Sequence, residues 1–207
     1  MNYVVALVIV IVGISYFAFQ NKNVINKLIM SPYLVIHKNE WYRVITHAFI
    51  HANWMHLLFN MIALWSFGSA VVQYFDYVIV SNIPNVHFFM LFFVGVIIAS
   101  TPDIVKHKND IGYLSLGASG GVSAVVFSAI FFNPWSTVLV FFIPCPGIIF
   151  GVLYLWYSNY MSKKGGDNIN HSAHFYGAVF GFLYPILIQP SIVFHFIQQL
   201  MHPSFLQ

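Results

Sequence analysis

Three short groups of polar residues interrupt otherwise apolar stretches of the chain. The first surrounds Ser119 in the sequence GASGG, the second holds His56 and Asn60 one helical turn apart, and the third holds His174. A polar side chain inside lipid costs free energy, so residues of this kind are the first candidates for function in an apolar chain.

Ser119 and His174 are residue types that together can cut an amide bond. A serine hydroxyl becomes a nucleophile when a base lies within hydrogen-bond reach. A neutral imidazole can take the serine proton and return it to the leaving amine. At the start of a helix, Ser119 would also lie beside free backbone N–H groups that hold a developing oxyanion. The alternative is purely structural, because small residues are common where helices touch.

Small residues also predict which helices meet. Two predicted helices carry small residues at every fourth position: Gly120, Ala124 and Ser128 on one, and Gly177 and Gly181 on the other. Packing of these two faces would bring His174 close to Ser119. We place no aspartate or glutamate within a span, so the expected chemistry is a Ser–His dyad. His56 and Asn60 share a helix face, and their donors would complete an oxyanion hole with the Ser119 N–H.

A metal site is the competing interpretation of the histidines. His47 and His51 are four residues apart and His56 follows. The carboxylate and thiolate partners of a usual site are missing, however, and there is no His-Glu-x-x-His pattern. We therefore expect no metal and no cofactor. Cys145 is a weaker nucleophile candidate than Ser119, because it stands between two prolines with no histidine nearby in the sequence.

The elements that must position these residues are membrane helices. Hydrophobic residues make up 59% of the 207 residues and charged residues 6%, against roughly a quarter charged in a soluble domain. Too few basic residues cluster to bind nucleic acid, and one cysteine cannot form a disulfide scaffold. The fold class is therefore an all-α membrane protein. Uncharged runs predict six spans, at about 3–19, 54–75, 84–100, 119–132, 148–160 and 171–189. An extended connector is predicted at 137–143, between the fourth and fifth spans.

In their order and spacing, four motifs resemble those of rhomboid intramembrane serine proteases of the compact six-span bacterial type. The resemblance covers about residues 40–185, and its motifs are Trp41-Tyr42-Arg43, His56-x-x-x-Asn60, Gly117-x-Ser119-Gly120 and Ala173-His174-x-x-Gly177-x-x-x-Gly181. It implies a six-helix bundle with a partly embedded first loop. It further implies one domain over 1–207, with a core at about 40–189 and an interfacial tail at 190–207, and a loop at 161–170 that caps the active site.

The resemblance also assigns roles. It implies that Ser119 is the nucleophile, that His174 is the general base, and that His56, Asn60 and the Ser119 N–H form the oxyanion hole. The residues it implies as structural support are Gly117, Gly120, Gly177, Gly181, Trp41 and Arg43. One position departs from the pattern: Ser123 stands where some members carry an aromatic ring that stacks on the base, so what orients His174 stays open.

The implied activity is cleavage of transmembrane segments of other membrane proteins within the lipid bilayer, in a bacterial inner (plasma) membrane. A catalytically silent rhomboid-like binding or escort protein is the alternative. A small-solute or proton transporter is a third alternative, but it would usually require carboxylates inside the spans, and we place none there. All eight Lys and Arg fall in the loops after spans one, three and five, which the positive-inside rule places in the cytoplasm. Similar bacterial rhomboids open their active site away from the cytoplasm. We expect that orientation here, with cytoplasmic termini and an extracytoplasmic active site.

Overall fold

The computed structural model describes residues 3–140, 143–167 and 169–203, whose regular secondary structure is helical apart from one small hairpin. The strands of the hairpin are β1 (Thr137–Val140) and β2 (Ile143–Pro146). The helices are α1 (Tyr3–Gln20), α2 (Lys22–Leu28), α3 (Pro32–Lys38), α4 (Arg43–Thr46), α5 (Trp54–Tyr77), α6 (Pro84–His107), α7 (Ser119–Phe132), α8 (Gly147–Lys164), α9 (His171–Ile188) and α10 (Ile192–Met201).

Helix α7 lies at the centre of the bundle. It is apolar or small on every face, and all residues from Gly120 to Phe132 are buried. A helix with no polar face needs an apolar environment on all sides, and here α5, α6 and α9 supply it. Its 14 residues make it about 21 Å long, shorter than the hydrocarbon core of a bilayer, which is about 30 Å thick.

The long helices and the outer surface suit a membrane protein. Within the described ranges, α1, α5 and α6 are long and apolar enough to cross a membrane. Helices α7, α8 and α9 occupy the other three predicted spans, and the count of six spans stays a prediction. Large apolar side chains cover the outside of the bundle, among them Ile9, Phe17, Trp65, Trp156 and Leu187. Lipid solvates such a surface, whereas water would not.

Helix α6 runs farther than the sequence predicted. The expected span ends at Ser100, whereas the helix passes through Pro102 and ends at His107. A proline removes one backbone hydrogen bond, and tertiary contacts hold the helix beyond it: Ile104 packs on the cluster of Met30, Val35 and Val44. The described helices that are long enough to cross a membrane thus contain two acidic residues, Asp76 and Asp103, and the expectation that no acidic residue lies within a span is wrong.

Two carboxylates fall inside the long helices. Asp76 lies near the end of α5, where it is exposed. Asp103 lies in α6 and is only 4% exposed. The sequence prediction ends both spans before these residues, because a charged residue usually marks the end of a span. A buried charge with a hydrogen-bond partner, such as Asp103, does not end a helix.

The connector before α8 is an antiparallel hairpin in which Thr137 pairs with Pro146 and Val140 with Ile143. An extended segment was predicted here, and the pairing of its two halves was not. The prolines 144 and 146 lie on β2, where a strand with a free edge tolerates their missing N–H groups. Helix α8 then begins at Gly147, one residue before the predicted start, and continues to Lys164.

The C-terminal helix α10 closes the end of α7. The ring of Phe196 stacks on Phe131, with centroids 5.1 Å apart. The His195 ring nitrogen Nε2 donates to the Phe132 carbonyl at 3.1 Å, and the indole of Trp135 donates to the Leu200 carbonyl at 3.0 Å. The segment predicted as an interfacial tail thus satisfies a carbonyl that the end of a helix leaves free.

The first loop is held together by one buried arginine. The Arg43 guanidinium donates through Nη1 to the carbonyls of Asn26 and Ile29, both at 2.8 Å, and through Nε to Glu40 at 2.6 Å. Hydrogen bonds from Arg43 and Tyr42 lower the pKa of the Glu40 carboxyl. Trp41, expected to support the same loop, has an indole that is 54% exposed. Aromatic rings of this kind favour the boundary between lipid and water.

Candidate functional site

Ser119 is the first residue of α7, after a turn that only glycine adopts readily. Gly117 has φ +118°, a conformation that disfavours any side chain. A Cβ at this position would lie 2.6 Å from Cε1 of His56, so the imidazole of His56 rests directly on the backbone before Ser119. The Gly117 N–H donates to the His47 carbonyl at 3.0 Å, which fixes the turn to the first loop.

His174 lies in the first turn of α9. Asn170 caps this helix: its side-chain oxygen accepts from the Ala173 N–H at 3.0 Å, and its carbonyl accepts from the His174 N–H at 3.2 Å. An asparagine cap satisfies donors that the first turn would otherwise leave free. The orientation of the helix start, and with it that of His174, therefore depends on Asn170.

Helices α7 and α9 meet along the small faces that the sequence predicts. A methyl group built on Gly177 would overlap the carbonyl oxygen of Gly120, and one built on Gly181 would overlap that of Ala124. The two helices run in the same direction at this contact. Since His174 precedes Gly177 by three residues and Ser119 directly precedes Gly120, both lie at the same end of the contact.

One cavity collects the four residues that the sequence singled out. Ser119, His174, His56 and Asn60 all line a space of about 930 Å³. Residues of two loops complete its wall, among them Leu114, Leu116, Asp167, Ile169 and Asn170. The space is large enough for an extended peptide of a few residues, since pockets for drug-sized ligands measure about 300–1,000 Å³.

His56 and Asn60 come from the start of α5. Asn53 caps this helix by accepting from the His56 N–H at 2.9 Å. The buried Asn60 amide donates to the His56 carbonyl at 3.1 Å, and an amide has a second N–H to offer. The ring of His51 meets that of His56 edge to face at 5.0 Å. The two side chains predicted as oxyanion donors are thus held at one edge of the cavity.

The histidines considered for metal binding have other partners. The His47 nitrogen Nε2 is hydrogen bonded to Ser100 at 3.0 Å, and the His51 nitrogen Nδ1 to Ser15 at 2.9 Å. Helix α4 ends at Thr46 and gives way to a 3-10 turn, so His47 and His51 do not share a regular helix face. Among the described residues, no group of three His, Cys, Asp or Glu side chains could hold a metal ion. Cys145 lies on β2 and is not among the residues that line the cavity.

The loop predicted to cap the site is short. Helix α8 extends into it as far as Lys164, and Gly165 and Gly166 follow with positive φ. The Asp167 carboxylate accepts from the His171 ring nitrogen Nε2 at 3.0 Å. This hydrogen bond lowers the pKa of the Asp167 carboxyl. The ring of His171 meets His174 at 6.0 Å, close to perpendicular, so the loop is linked to the candidate base through His171.

Tyr154 is a site residue that the sequence did not reveal. Its ring lies flat against His174, with centroids 6.1 Å apart and planes at 20°. Its hydroxyl is hydrogen bonded to Ser123 at 2.8 Å. Tyr154 belongs to α8, and no spacing in the sequence connects it with His174. Ser123 stands where some members of the family that the sequence resembles carry an aromatic ring, and here a ring from another helix lies beside it.

Asn170 and Asp103 were missed as well. Asn170 has a sequence signal, because an asparagine directly before an apolar helical run is a typical N-cap. Asp103 has none, since its hydrogen bond from Asn170 joins residues 67 positions apart.

Comparison with known proteins gives consistent matches. Residues 38–191 match the family model of the rhomboid domain. The RHOMBOID-like protein 12, mitochondrial, of Arabidopsis thaliana is 29% identical over 151 residues, which cover 65% of this chain and 43% of that protein. The Rhomboid protein 1, mitochondrial, of Saccharomyces cerevisiae is 30% identical over 155 residues, which cover 72% of this chain and 42% of that protein. The chain thus spans less than half the length of these curated relatives.

Proposed function

The chain belongs to the rhomboid family, and from this premise we propose that it is a serine-type endopeptidase that cuts transmembrane segments of other membrane proteins with a Ser119–His174 dyad. The observation that carries the proposal is the shared cavity of Ser119, His174, His56 and Asn60. These residues come from three helices and from distant parts of the sequence, and residue types that suit acyl transfer meet around one space.

The proposed reaction has two halves. The Ser119 Oγ attacks the carbonyl carbon of the scissile bond while His174 takes the hydroxyl proton. The tetrahedral intermediate collapses, the C–N bond breaks, and the protonated imidazole gives its proton to the leaving amine. Water then attacks the acyl-enzyme, with His174 again as base, and releases the new carboxylate and the free Ser119 hydroxyl.

Negative charge on the substrate oxygen is stabilised at the start of α7. The Ser119 N–H, His56 and the second N–H of the Asn60 amide are the donors we assign to it. Donors that are fixed before the reaction stabilise developing charge most strongly, because no reorganisation is required in the transition state. The contact of His56 with Gly117 and the cap on α5 supply that fixation.

The protein is an integral, multi-pass membrane protein, and its substrates are other proteins of the bilayer. A peptide bond within a helix is shielded by its own hydrogen bonds, so a substrate segment must unwind before it enters the cavity. An active site that opens on the extracytoplasmic side, with both termini in the cytoplasm, remains part of the proposal. A location in a bacterial inner membrane gains no support from the comparisons, because both curated relatives named above are mitochondrial proteins.

A fluorophosphonate probe on the detergent-solubilised protein tests the proposal directly. We expect covalent labelling of the wild type, none of Ser119→Ala, and undiminished labelling of Ser162→Ala, a matched control on the exposed end of α8. A folded wild-type protein that neither labels nor cleaves a model membrane substrate would overturn the proposal. It would favour a rhomboid-like protein that binds or escorts membrane proteins through the same cavity.

A further inference from the structure

Asp103 is a buried carboxylate that the proposed reaction does not use. It is 4% exposed and lies in the second-last turn of α6, behind the wall of the cavity. A buried carboxylate is costly unless hydrogen bonds compensate it. The partners of Asp103 therefore show what this part of the structure depends on.

The first partner is Asn170, the cap of the helix that carries His174. Its amide nitrogen Nδ2 donates to the Asp103 oxygen Oδ2 in a short hydrogen bond of 2.5 Å, while its amide oxygen accepts from the Ala173 N–H. One side chain thus serves both as the cap of α9 and as the donor to Asp103. The carboxylate holds the Asn170 amide in the orientation that capping requires.

The second partner is Tyr113, in the loop that leads from α6 to Ser119. Its ring stacks on His107, one turn after Asp103 on α6, with centroids 3.8 Å apart and planes at 8°, and its hydroxyl interacts electrostatically with the Asp103 carboxylate. Two residues later, Ser115 exchanges backbone hydrogen bonds with Met30, at 3.0 and 3.1 Å. Tyr113 and Asn170 both line the cavity.

We propose that Asp103 is a positioning residue that joins the loop before Ser119 to the first turn of the helix that carries His174. The inference rests on the proposed function for its catalytic consequence. The carboxylate is fully paired only while Tyr113 and Asn170 are both in place, so a shift of either wall leaves a buried charge underpaired. The proposed nucleophile and base thereby keep a common reference point in α6, although they stand on different helices.

The hydrogen-bond chemistry of the pair offers a sharp test by exchange of the two residues. Asn170→Asp places a second carboxylate against that of Asp103, and the hydrogen bond between the two side chains is lost because an ionised carboxylate has no donor. In the double variant Asp103→Asn/Asn170→Asp, the amide at 103 can donate to the carboxylate at 170 and still accept from Tyr113. Aspartate is as good a helix cap as asparagine, so the cap on Ala173 is kept.

Two measurements follow the variants, at a temperature where all of them are folded. The first is hydrogen exchange of residues 108–118 and 169–174, which does not depend on catalysis. The second is the rate of fluorophosphonate labelling. A misplacement of about 1 Å can cost roughly 100-fold in rate, and we expect about a 10- to 100-fold loss in labelling for Asp103→Ala, with faster exchange in both segments. The exchange of residues should return labelling to within about threefold of wild type. Asp76→Ala, the same substitution at an exposed site, should change neither measurement.

Tyr113→Phe removes only a hydroxyl and keeps the inference testable if Asp103→Ala does not fold. It should speed exchange at 169–174 as well as in its own loop. The inference fails if the double variant is no better than Asn170→Asp, or if Asn170→Asp leaves exchange at 108–118 unchanged and Tyr113→Phe leaves exchange at 169–174 unchanged. Absence of labelling in the folded wild type would overturn the proposed function instead, and the exchange data would still decide whether Asp103 couples the two segments.

Discussion

The ring of Tyr154 lies nearly parallel to that of His174 in an offset stack, with centroids 6.1 Å apart, although the two residues lie on different helices, α8 and α9. Some family members place an aromatic ring four residues after the nucleophile for this contact, and here that position is Ser123. The Ser123 hydroxyl is instead hydrogen bonded to the hydroxyl of Tyr154. The ring beside the candidate base is thus supplied by one helix and anchored by another.

Loss of the Tyr154 ring should lower turnover. An aromatic stack contributes about 0.5–1.5 kcal/mol, which corresponds to roughly 2- to 13-fold in the population of correctly oriented His174. We expect Tyr154→Leu to lower kcat by about this factor, and Tyr154→Phe and Ser123→Ala to have smaller, equal effects that do not add, because they remove the same hydrogen bond. Tyr160→Leu, on an exposed part of α8, is the control. Equal kcat values for Tyr154→Leu and wild type would show that the stack does not orient the base.

Removal of either dyad member should abolish cleavage of a model membrane substrate. Ser119→Ala and His174→Ala are each expected to reduce cleavage to background, and the double variant to be no worse than either, because a nucleophile and its base act as a unit. Ser162→Ala, at a partly exposed position, and His202→Ala, at an exposed one, should retain full activity. Substantial cleavage by either single variant would refute the dyad, and inhibition by a chelator that zinc reverses would revive a metal mechanism.

The oxyanion donors should affect the chemical step more than substrate binding. Loss of one such donor typically costs about 100- to 1,000-fold in kcat. We expect His56→Ala and Asn60→Ala to lower kcat towards this range with little change in KM, measured on a substrate in detergent or proteoliposomes. Asn60→Asp keeps the size of the side chain without its N–H donors and should be as impaired as Asn60→Ala. A rise in KM alone would instead assign these residues to substrate binding.

The contact between α7 and α9 should tolerate no side chain at its glycines. A methyl group on Gly177 or Gly181 would overlap a backbone carbonyl of α7, so Gly177→Val and Gly181→Val must push the helices apart. Overpacking typically costs about 1–3 kcal/mol, and we expect a lower melting temperature together with lower activity. Gly13→Val is the matched control, because no atom lies within 4 Å of a Cβ built there. Wild-type stability in both α9 variants would mean that the helices do not pack in this way.

The contact between Asp167 and His171 should make a small contribution to stability that acid removes. The folded-state pKa of Asp167 is lowered, so its contribution is present above the unfolded value of about 3.9 and is lost as the pH falls through the lower folded value. The melting temperature of Asp167→Asn should therefore lie slightly below wild type near neutral pH, and the difference should begin to shrink as the pH falls below about 4 and vanish below the folded-state pKa. In a His171→Phe background the difference should be smaller, because only the hydrogen bond from the Ile169 N–H to Asp167 remains. A gap that persists into strong acid would contradict this account.

Both ends of α7 were predictable from the sequence, whereas only the start of α6 was. Glycines before Ser119 and Pro134 after Phe132 are local signals, and the helix has the predicted bounds. Helix α6 continues past Asp103 because a distant residue, Asn170, donates a hydrogen bond to its carboxylate. No local sequence pattern predicts a partner so far along the chain. The same holds within the site. The small faces of α7 and α9 could be matched by spacing, but the contact of Tyr154 with His174 depends on how α8 rotates and packs.

The complete enclosure of α7 has a consequence for how the protein is made. Its residues find their apolar surroundings in α5, α6 and α9, and α9 is synthesised after it. A nascent chain that stops before His171 would carry the proposed nucleophile without its base and without the helix that packs closest to it. On the proposed function, proteolytic competence is therefore acquired only when the last long helix has been inserted, and unfinished chains cannot cut their neighbours in the membrane.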